Sequence, residues 1–183
     1  MLKPVRSLAE VPPSYRGTPI ADLLAYHNLG VPHSSYAQAV LLVGMCMDPR
    51  VRLRIPENFA FIMRAAGANF RETDFQVSFA LAVGGVQAIV LIGHNQCGME
   101  NLHARRGEFI DGLTDGVGWS RGEAESHFDS LSPEFEIGDA GELVRSQTQR
   151  LRLQYPRVVV APLMYDVEDG MLYQLEQPAE SSR

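Results

Sequence analysis

Cysteine is scarce in this chain: 183 residues carry only two, Cys46 and Cys97. That excludes a small secreted scaffold stapled by several disulfides. A Cys46–Cys97 bridge would also consume both of the soft metal ligands available, so reduced thiols in a cytoplasmic setting are expected. Positive charge is short as well, with 16 Lys and Arg against 22 Asp and Glu, a net charge of −6 and a pI near 5.3. A nucleic-acid binder needs a basic face to displace counterions, and an anionic membrane surface makes the same demand, so neither is an expected partner. No apolar run approaches the ~18 residues of a membrane span. Met1 to Glu10 is mixed and polar rather than a basic stretch followed by an apolar core, so no secretory leader is read there. Internal repeats and low-complexity tracts are lacking, and Trp119 is the only tryptophan. What remains is a soluble globule, 45% hydrophobic, long enough for one domain over residues 1–183 with a core of its own.

Along that domain, strand and helix signals alternate. Residues 1–38 read as an arm and a helix. Pro4, Pro12 and Pro13 make Met1–Gly17 an extended arm, and Thr18-Pro19 supplies an N-cap followed by proline at the first helical position. Ile20, Leu23, Leu24 and His27 then share a face up to Gly30. Arm and helix look poorly suited to pack alone and are expected to cross onto a second subunit. Ala39–Val43 is a short continuous apolar run, suited to a parallel strand covered on both faces, and Phe59–Met63 is similar. Thr73 or Asp74 caps a helix whose apolar face includes Val77, Phe79, Leu81 and Val83. Gly84-Gly85 ends it, and Val86–Ile92 follows as the next strand of a βαβ unit. Residues 109–141, rich in Gly, Asp, Glu and Ser, read as loop with one or two short helices. Glu142–Gln154 is helical and is stopped by Pro156. Val158–Ala161 is a further strand, and Asp169-Gly170 marks a turn before a last one, Met171–Leu175. The tail, residues 178–183, is expected to fray. The fold class is α/β: a mainly parallel central sheet flanked by helices, with a short additional C-terminal strand.

In open parallel sheets ligands bind beyond the carboxyl ends of the strands. Cys46 follows the first apolar run within C-M-D-P-R, and His94 and Cys97 follow another within G-H-N-Q-C-G. Two thiolates and one imidazole make a zinc set one ligand short of the four that close a structural site, which is the pattern of a catalytic one. A lone cysteine after a strand is ordinarily a small buried hydrophobe, and a lone histidine a satisfied polar residue. Three such residues at strand ends, two of them in an H-x-x-C turn, point to metal instead. Asp48 and Arg50 lie two and four residues beyond Cys46, close enough to reach the same pocket. A neighbouring arginine favours the ionised aspartate. Asp48 then either accepts a hydrogen bond from water at the metal or swings onto the metal as a fourth ligand. His27, His33, His103 and His127 have no ligand spacing, Arg52 and Arg54 read as a solvated edge, and Trp119 reads as packing.

C-x-D-x-R, then R-x-A-G at Arg64–Gly67, then G-H-x-x-C-G together resemble the β-class carbonic anhydrases. The similarity runs from about Leu41 to Leu175 and includes Tyr165-Asp166-Val167 and Gly170. The resemblance implies Zn2+ held by Cys46, His94 and Cys97, with Asp48 as a further ligand in a closed state, and Asp48–Arg50 as catalytic dyad. It also implies a homodimer or a multiple of dimers, with active sites near the interface. The implied activity is reversible hydration of CO2 to bicarbonate and a proton by hydroxide generated at the zinc, which lowers the pKa of bound water. The backbone N–H of Gly98 serves as donor to the developing oxyanion in that scheme, and Arg64 supports the dyad turn. Two thiolates cancel the formal charge of the metal, so activity is expected to rise with pH into the alkaline range. Three departures bear on substrate and rate more than on metal: Pro49 where many relatives have serine, Ala65 where asparagine is usual, and Asn95-Gln96 in the H-x-x-C gap. Some proteins that resemble this family hydrolyse carbonyl sulfide or carbon disulfide with the same zinc set, which is the alternative activity. A non-catalytic zinc-binding relative is a third reading, against which the intact Asp48–Arg50 pair speaks.

Overall fold

The structure is a computed structural model and describes residues 2–175; the expected fraying of 178–183 lies outside the described residues. Strands β1 (Leu2–Pro4), β2 (Leu41–Cys46), β3 (Ala60–Ala65), β4 (Ala88–His94), β5 (Val159–Tyr165) and β6 (Leu172–Leu175) form one sheet in the order β1-β6-β5-β4-β2-β3. β3, β2, β4 and β5 are parallel, while β6 and β1 extend the sheet antiparallel beside β5. The helices are α1 (Pro19–Leu29), α2 (Asp74–Ala82), α3 (Arg106–Asp111), α4 (Arg121–Phe135) and α5 (Ala140–Gln154).

Every residue of β2 and β4 is buried, because side chains on both faces of these strands are covered. Leu41, Val43 and Met45 of β2 pack with Val90 and Ile92 of β4 against Ile20, Leu23 and Leu24 of α1. The alternate residues, Leu42 and Cys46 with Ile89 and Leu91, pack on the opposite face against Val77 and Ala80 of α2 and Val144 and Leu151 of α5. Helices on both faces of a largely parallel sheet are the arrangement the continuous apolar runs call for. None of the helices among the described residues is long and apolar enough to cross a membrane.

Four expectations need correction. The N-terminal arm and α1 do not leave their own domain. β1 pairs with β6, and Val5, Val11 and Tyr15 join the core beneath α1. Asn28 ties them in place: its amide donates to the carbonyls of Val5 (3.0 Å) and Leu172 (2.7 Å), and its Oδ1 accepts from the Leu172 N–H (2.9 Å). β3 is not covered on both faces but is an edge strand, with Phe61 43% and Ile62 46% exposed. α2 does not bury Phe79 and Val83, which are 51% and 70% exposed. Residues two apart fall on different sides of a helix, so α2 turns Val77 and Ala80 inward and leaves Phe75, Phe79 and Val83 outward. Finally, much of 109–141 is the 15-residue helix α4, capped reciprocally by Ser120 and Glu123. That capping box stands in the sequence as S-x-x-E.

His27 illustrates how α1 is fastened. Its Nδ1 accepts from the Arg54 backbone N–H (3.0 Å), so its Nε2–H donates to the Gly170 carbonyl (2.8 Å). Burial lowers its pKa, and protonation would set an N–H against the Arg54 N–H. The unfolded chain therefore takes up a proton before the folded one does. This contribution to stability is complete above the ordinary histidine pKa of about 6.5 and is lost as pH falls below it. Glutamine can supply the same donor and acceptor. Thermal melts at about pH 7 and pH 5 should show a smaller acid-side loss of Tm for His27→Gln than for the parent; equal losses would contradict this.

Candidate metal centre

β2 and β4 are hydrogen-bonded neighbours, with Met45 paired to Ile92. Cys46 and His94 end these two strands, so both emerge at the carboxyl edge of the sheet. Cys97 returns to the same point through a turn in which Gln96 takes a left-handed φ of 55°. The sulfurs of Cys46 and Cys97 and a ring nitrogen of His94 all lie within 4.8 Å of one another, and all three residues are buried. One ion forming bonds of roughly 2.0–2.3 Å to nitrogen and sulfur reaches all three.

His94 is held for that task. Its Nδ1 lies 2.8 Å from the Asn95 carbonyl and must donate to it. In the neutral ring Nε2 is then left with a lone pair. Nε2 is buried and has no hydrogen-bond partner among the described residues, a costly state for a polar atom unless something else engages it. The two cysteines are unbridged. Cys46 has its pKa lowered to about 4 by the hydrogen bond from Cys97, helped, against desolvation, by His94 and the Asp48 backbone. Cys97, which gives that hydrogen bond and is itself desolvated, is pushed up. Burial disfavours protonation of His94, but the Cys46 sulfur and the Asn95 carbonyl outweigh it and raise its pKa. The orphaned nitrogen and a thiolate–thiol pair competing for one proton fit a cation, and the soft donor set fits a metal ion.

Asp48 and Arg50 stand over this cluster. The turn Asp48-Pro49-Arg50-Val51 is closed by a Val51 N–H to Asp48 carbonyl bond (3.1 Å) and by the Arg50 N–H to Asp48 Oδ1 (2.8 Å). Proline suits its second position, where φ is already set. The Arg50 side chain grips the carboxylate with Nε (3.1 and 3.2 Å) and Nη2 (2.7 Å). That hydrogen bonding, against a smaller desolvation effect, draws the Asp48 pKa down to about 2. Asp48 Oδ2 is 4.0 Å from His94 Nε2, beside the three donor atoms. Arg64 reaches from β3 and donates to the carbonyls of Cys46 (2.9 Å), Asp48 (3.4 Å) and Val51 (2.9 Å). It is the brace of the turn expected from its position. Gly98 follows Cys97 directly, with the Arg105 guanidinium 3.9 Å from where a β-carbon would stand. Ala65, Met99 and Ile137 pack on the apolar cluster that includes Cys46 and Cys97.

Two features were not read from the sequence. Glu100 caps α5, its Oε1 accepting from the Ala140 N–H (3.0 Å), which ties the segment after Cys97 to the α4–α5 connection. Asn95 joins the His94–Cys97 turn to the β5–β6 turn, donating to Asp166 Oδ1 (3.0 Å) and accepting from the Val167 N–H (2.8 Å). The two amides in the H-x-x-C gap were the visible signal. Their partners, 71 and 72 residues away, were not visible.

No family model matches the chain, and no curated protein matches it in sequence. Solved structures do match in fold. A β-carbonic anhydrase from Trichomonas vaginalis superposes with a TM-score of 0.58 at 20% identity, covering 77% of this chain and 84% of that one. A carbonic anhydrase from Glaciozyma antarctica gives 0.57 at 24% identity, over 91% and 97% of the two chains. A carbon disulfide hydrolase in its apo form gives 0.53 at 19% identity, over 90% and 91%. The chain has the fold of the β-carbonic anhydrases.

Proposed function

We propose that the chain is a zinc-dependent β-class carbonic anhydrase that hydrates CO2 reversibly to bicarbonate. The observation that carries this reading is the buried Cys46–His94–Cys97 donor set with Asp48 Oδ2 4.0 Å from His94 Nε2. Cys46, His94 and Cys97 would hold the zinc. When bound, zinc supplies the Lewis acidity that makes water a nucleophile near neutral pH. Asp48, ionised and clamped by Arg50, accepts a hydrogen bond at Oδ2 and so orients that nucleophile. Pro49 and Arg64 keep the turn from relaxing. The N–H of Gly98 donates to the substrate oxygen on which charge develops. The cytoplasm, where thiols stay reduced, suits Cys46 and Cys97, both of which are free.

The same pocket supports one other reading, hydrolysis of carbon disulfide or carbonyl sulfide, which are linear triatomics like CO2. The match to a carbon disulfide hydrolase structure over nine-tenths of both chains favours keeping it in view. Stopped-flow CO2 hydration and sulfide release from carbon disulfide and carbonyl sulfide, measured side by side on zinc-loaded protein, separate the two. CO2 turnover is the expected result. Release of sulfide without it would replace the proposal, and inactivity on all three would remove it.

We also infer a homodimer. Among the described residues β3 offers an unpaired strand edge, and Phe61 abuts the end of α2 at Gly84. Phe75 and Phe79, 6.4 Å apart, and Val83 carry the exposed apolar surface onward along α2. An edge strand flanked by apolar side chains is suited to pair with its own copy about a two-fold axis. Light scattering should give twice the chain mass for the parent protein and a monomer for the Ile62→Lys, Phe79→Glu double variant. A monomeric parent would refute the dimer.

A further inference from the structure

Gln96 occupies a backbone conformation that favours glycine or asparagine, yet its side chain is fully engaged. Its Oε1 accepts from Arg50 Nη1 (3.4 Å) and its Nε2 donates to Glu168 Oε1 (3.0 Å), while its backbone carbonyl accepts from Arg50 Nη2 (3.0 Å). The orientation of the amide follows from its partners, since a guanidinium only donates and a carboxylate only accepts. Arg50 is therefore gripped on two sides, by Asp48 on one and by Gln96 on the other. Without the Gln96 amide, Arg50, whose side chain is 47% exposed, would keep Asp48 and the Gln96 backbone carbonyl but lose the acceptor at Nη1 and, through it, the tie to Glu168. Glu168 does not float either. Its N–H donates to Asp166 Oδ1 (2.8 Å), the same oxygen that accepts from Asn95. The turn carrying Gln96 and the turn carrying Glu168 are thus locked to each other.

We propose that Gln96, braced by Glu168, is a positioning residue: it holds the Arg50 guanidinium from the side opposite Asp48 and so sets where the Asp48 carboxylate stands relative to the metal centre. This rests on the reading of Asp48–Arg50 as the working pair of a carbonic anhydrase. Gln96 is not one of the donors and acts through Arg50.

The test uses the full-length, zinc-loaded protein with Gln96→Gly, Glu168→Gln, and Gln96→Gly in an Asp48→Asn background. Glycine suits the left-handed backbone at position 96, so Gln96→Gly should keep the parent zinc content and a Tm equal to or above the parent value. Its kcat should fall about tenfold with KM unchanged, the scale of one hydrogen bond to a charged group. Glu168→Gln, which leaves a weaker neutral brace, should lose about two- to threefold. In the Asp48→Asn background the Gln96 substitution should cost nothing further, because residues acting as a unit are not additive. The second readout is independent of turnover: the Arg50 Nη1–H resonances, observed by NMR with and without zinc, should exchange slowly in the parent and rapidly in Gln96→Gly, which removes their acceptor. An unchanged Arg50 resonance, or a full tenfold loss that persists beside Asp48→Asn, would overturn the proposal. Should the parent protein prove inactive on CO2, the carbonic anhydrase reading fails while the Arg50 resonance still decides the role of Gln96.

Discussion

Cys46→Ser is expected to release the zinc, and with it all CO2 hydration. Cys46 is buried at the end of β2 and pairs in register with Ala65 of β3, and serine differs from it by one atom, so the sheet should survive the exchange. The serine hydroxyl does not ionise near neutral pH, whereas the hydrogen bond from Cys97 lowers the pKa of the Cys46 thiol and favours the thiolate. One ligand's share of a zinc site's affinity is about 3–4 kcal/mol, which weakens binding by roughly 10²–10³-fold. Metal analysis after dialysis against a weak chelator should find about one zinc per chain in the parent and almost none in the variant. Added zinc should raise the Tm of the parent alone, since a ligand stabilises only the state that binds it. His94→Ala should lose the metal equally, but it empties a fully buried site and adds a cavity cost of about 2 kcal/mol or more. The serine variant is therefore the cleaner measurement. A Cys46→Ser protein that retained stoichiometric zinc would remove this residue from the donor set.

Asp48→Asn should give the opposite pattern, with zinc kept and turnover lowered by about 10²–10³-fold, the usual scale for a positioned proton acceptor. Asparagine preserves shape and the turn but can no longer hold Arg50 by charge. Its amide also donates where the carboxylate only accepted. The shape of the pH profile is informative here. Arg50 holds the Asp48 pKa near 2, well below the unfolded value of about 3.9. The group is therefore ionised throughout the neutral range, and its stabilising pairing is lost only as pH falls from about 4 towards 2. A rise of activity from neutral into alkaline solution thus reports another proton. The Asp48→Asn variant should still show a rise, at much lower amplitude. Full activity in the variant would take Asp48 out of the mechanism.

The residues that proved legible were those whose burden is local. Thr18-Pro19 and Gly30 bound α1 as expected: Thr18 Oγ1 accepts from the Ile20 N–H (3.2 Å) and Gly30 takes a left-handed φ of 65°. The apolar runs before Cys46 and His94 are central strands because nothing polar interrupts them. What failed was whatever depends on neighbours. Phe59–Met63 and Ala39–Val43 look alike in composition, yet one forms an edge strand and the other the middle of the sheet, and only strand order separates them. Phe79 and Val83 were assigned to the core for being apolar, without regard to the 3.6-residue repeat. β5 runs on through Pro162 to Tyr165, four residues past the Val158–Ala161 run read as the strand. The reach of Asn95 to Asp166 and of Gln96 to Glu168 could not be foreseen, because the β5–β6 turn is brought beside the His94–Cys97 turn only by the folded sheet.

The hydrogen-bonded pairing of β2 with β4 carries a consequence for folding. His94 and Cys97 are neighbours in any conformation of the chain, but Cys46 meets them only when two parallel strands, separated by β3 and α2, have zipped together correctly. A slip of one residue would turn His94 to the opposite face of the sheet. Parallel pairing across such a separation is slow, because loop closure precedes any reward. High-affinity zinc capture should therefore come late, as the last check on strand alignment, and a misaligned chain should be recognisable by its failure to take up the metal.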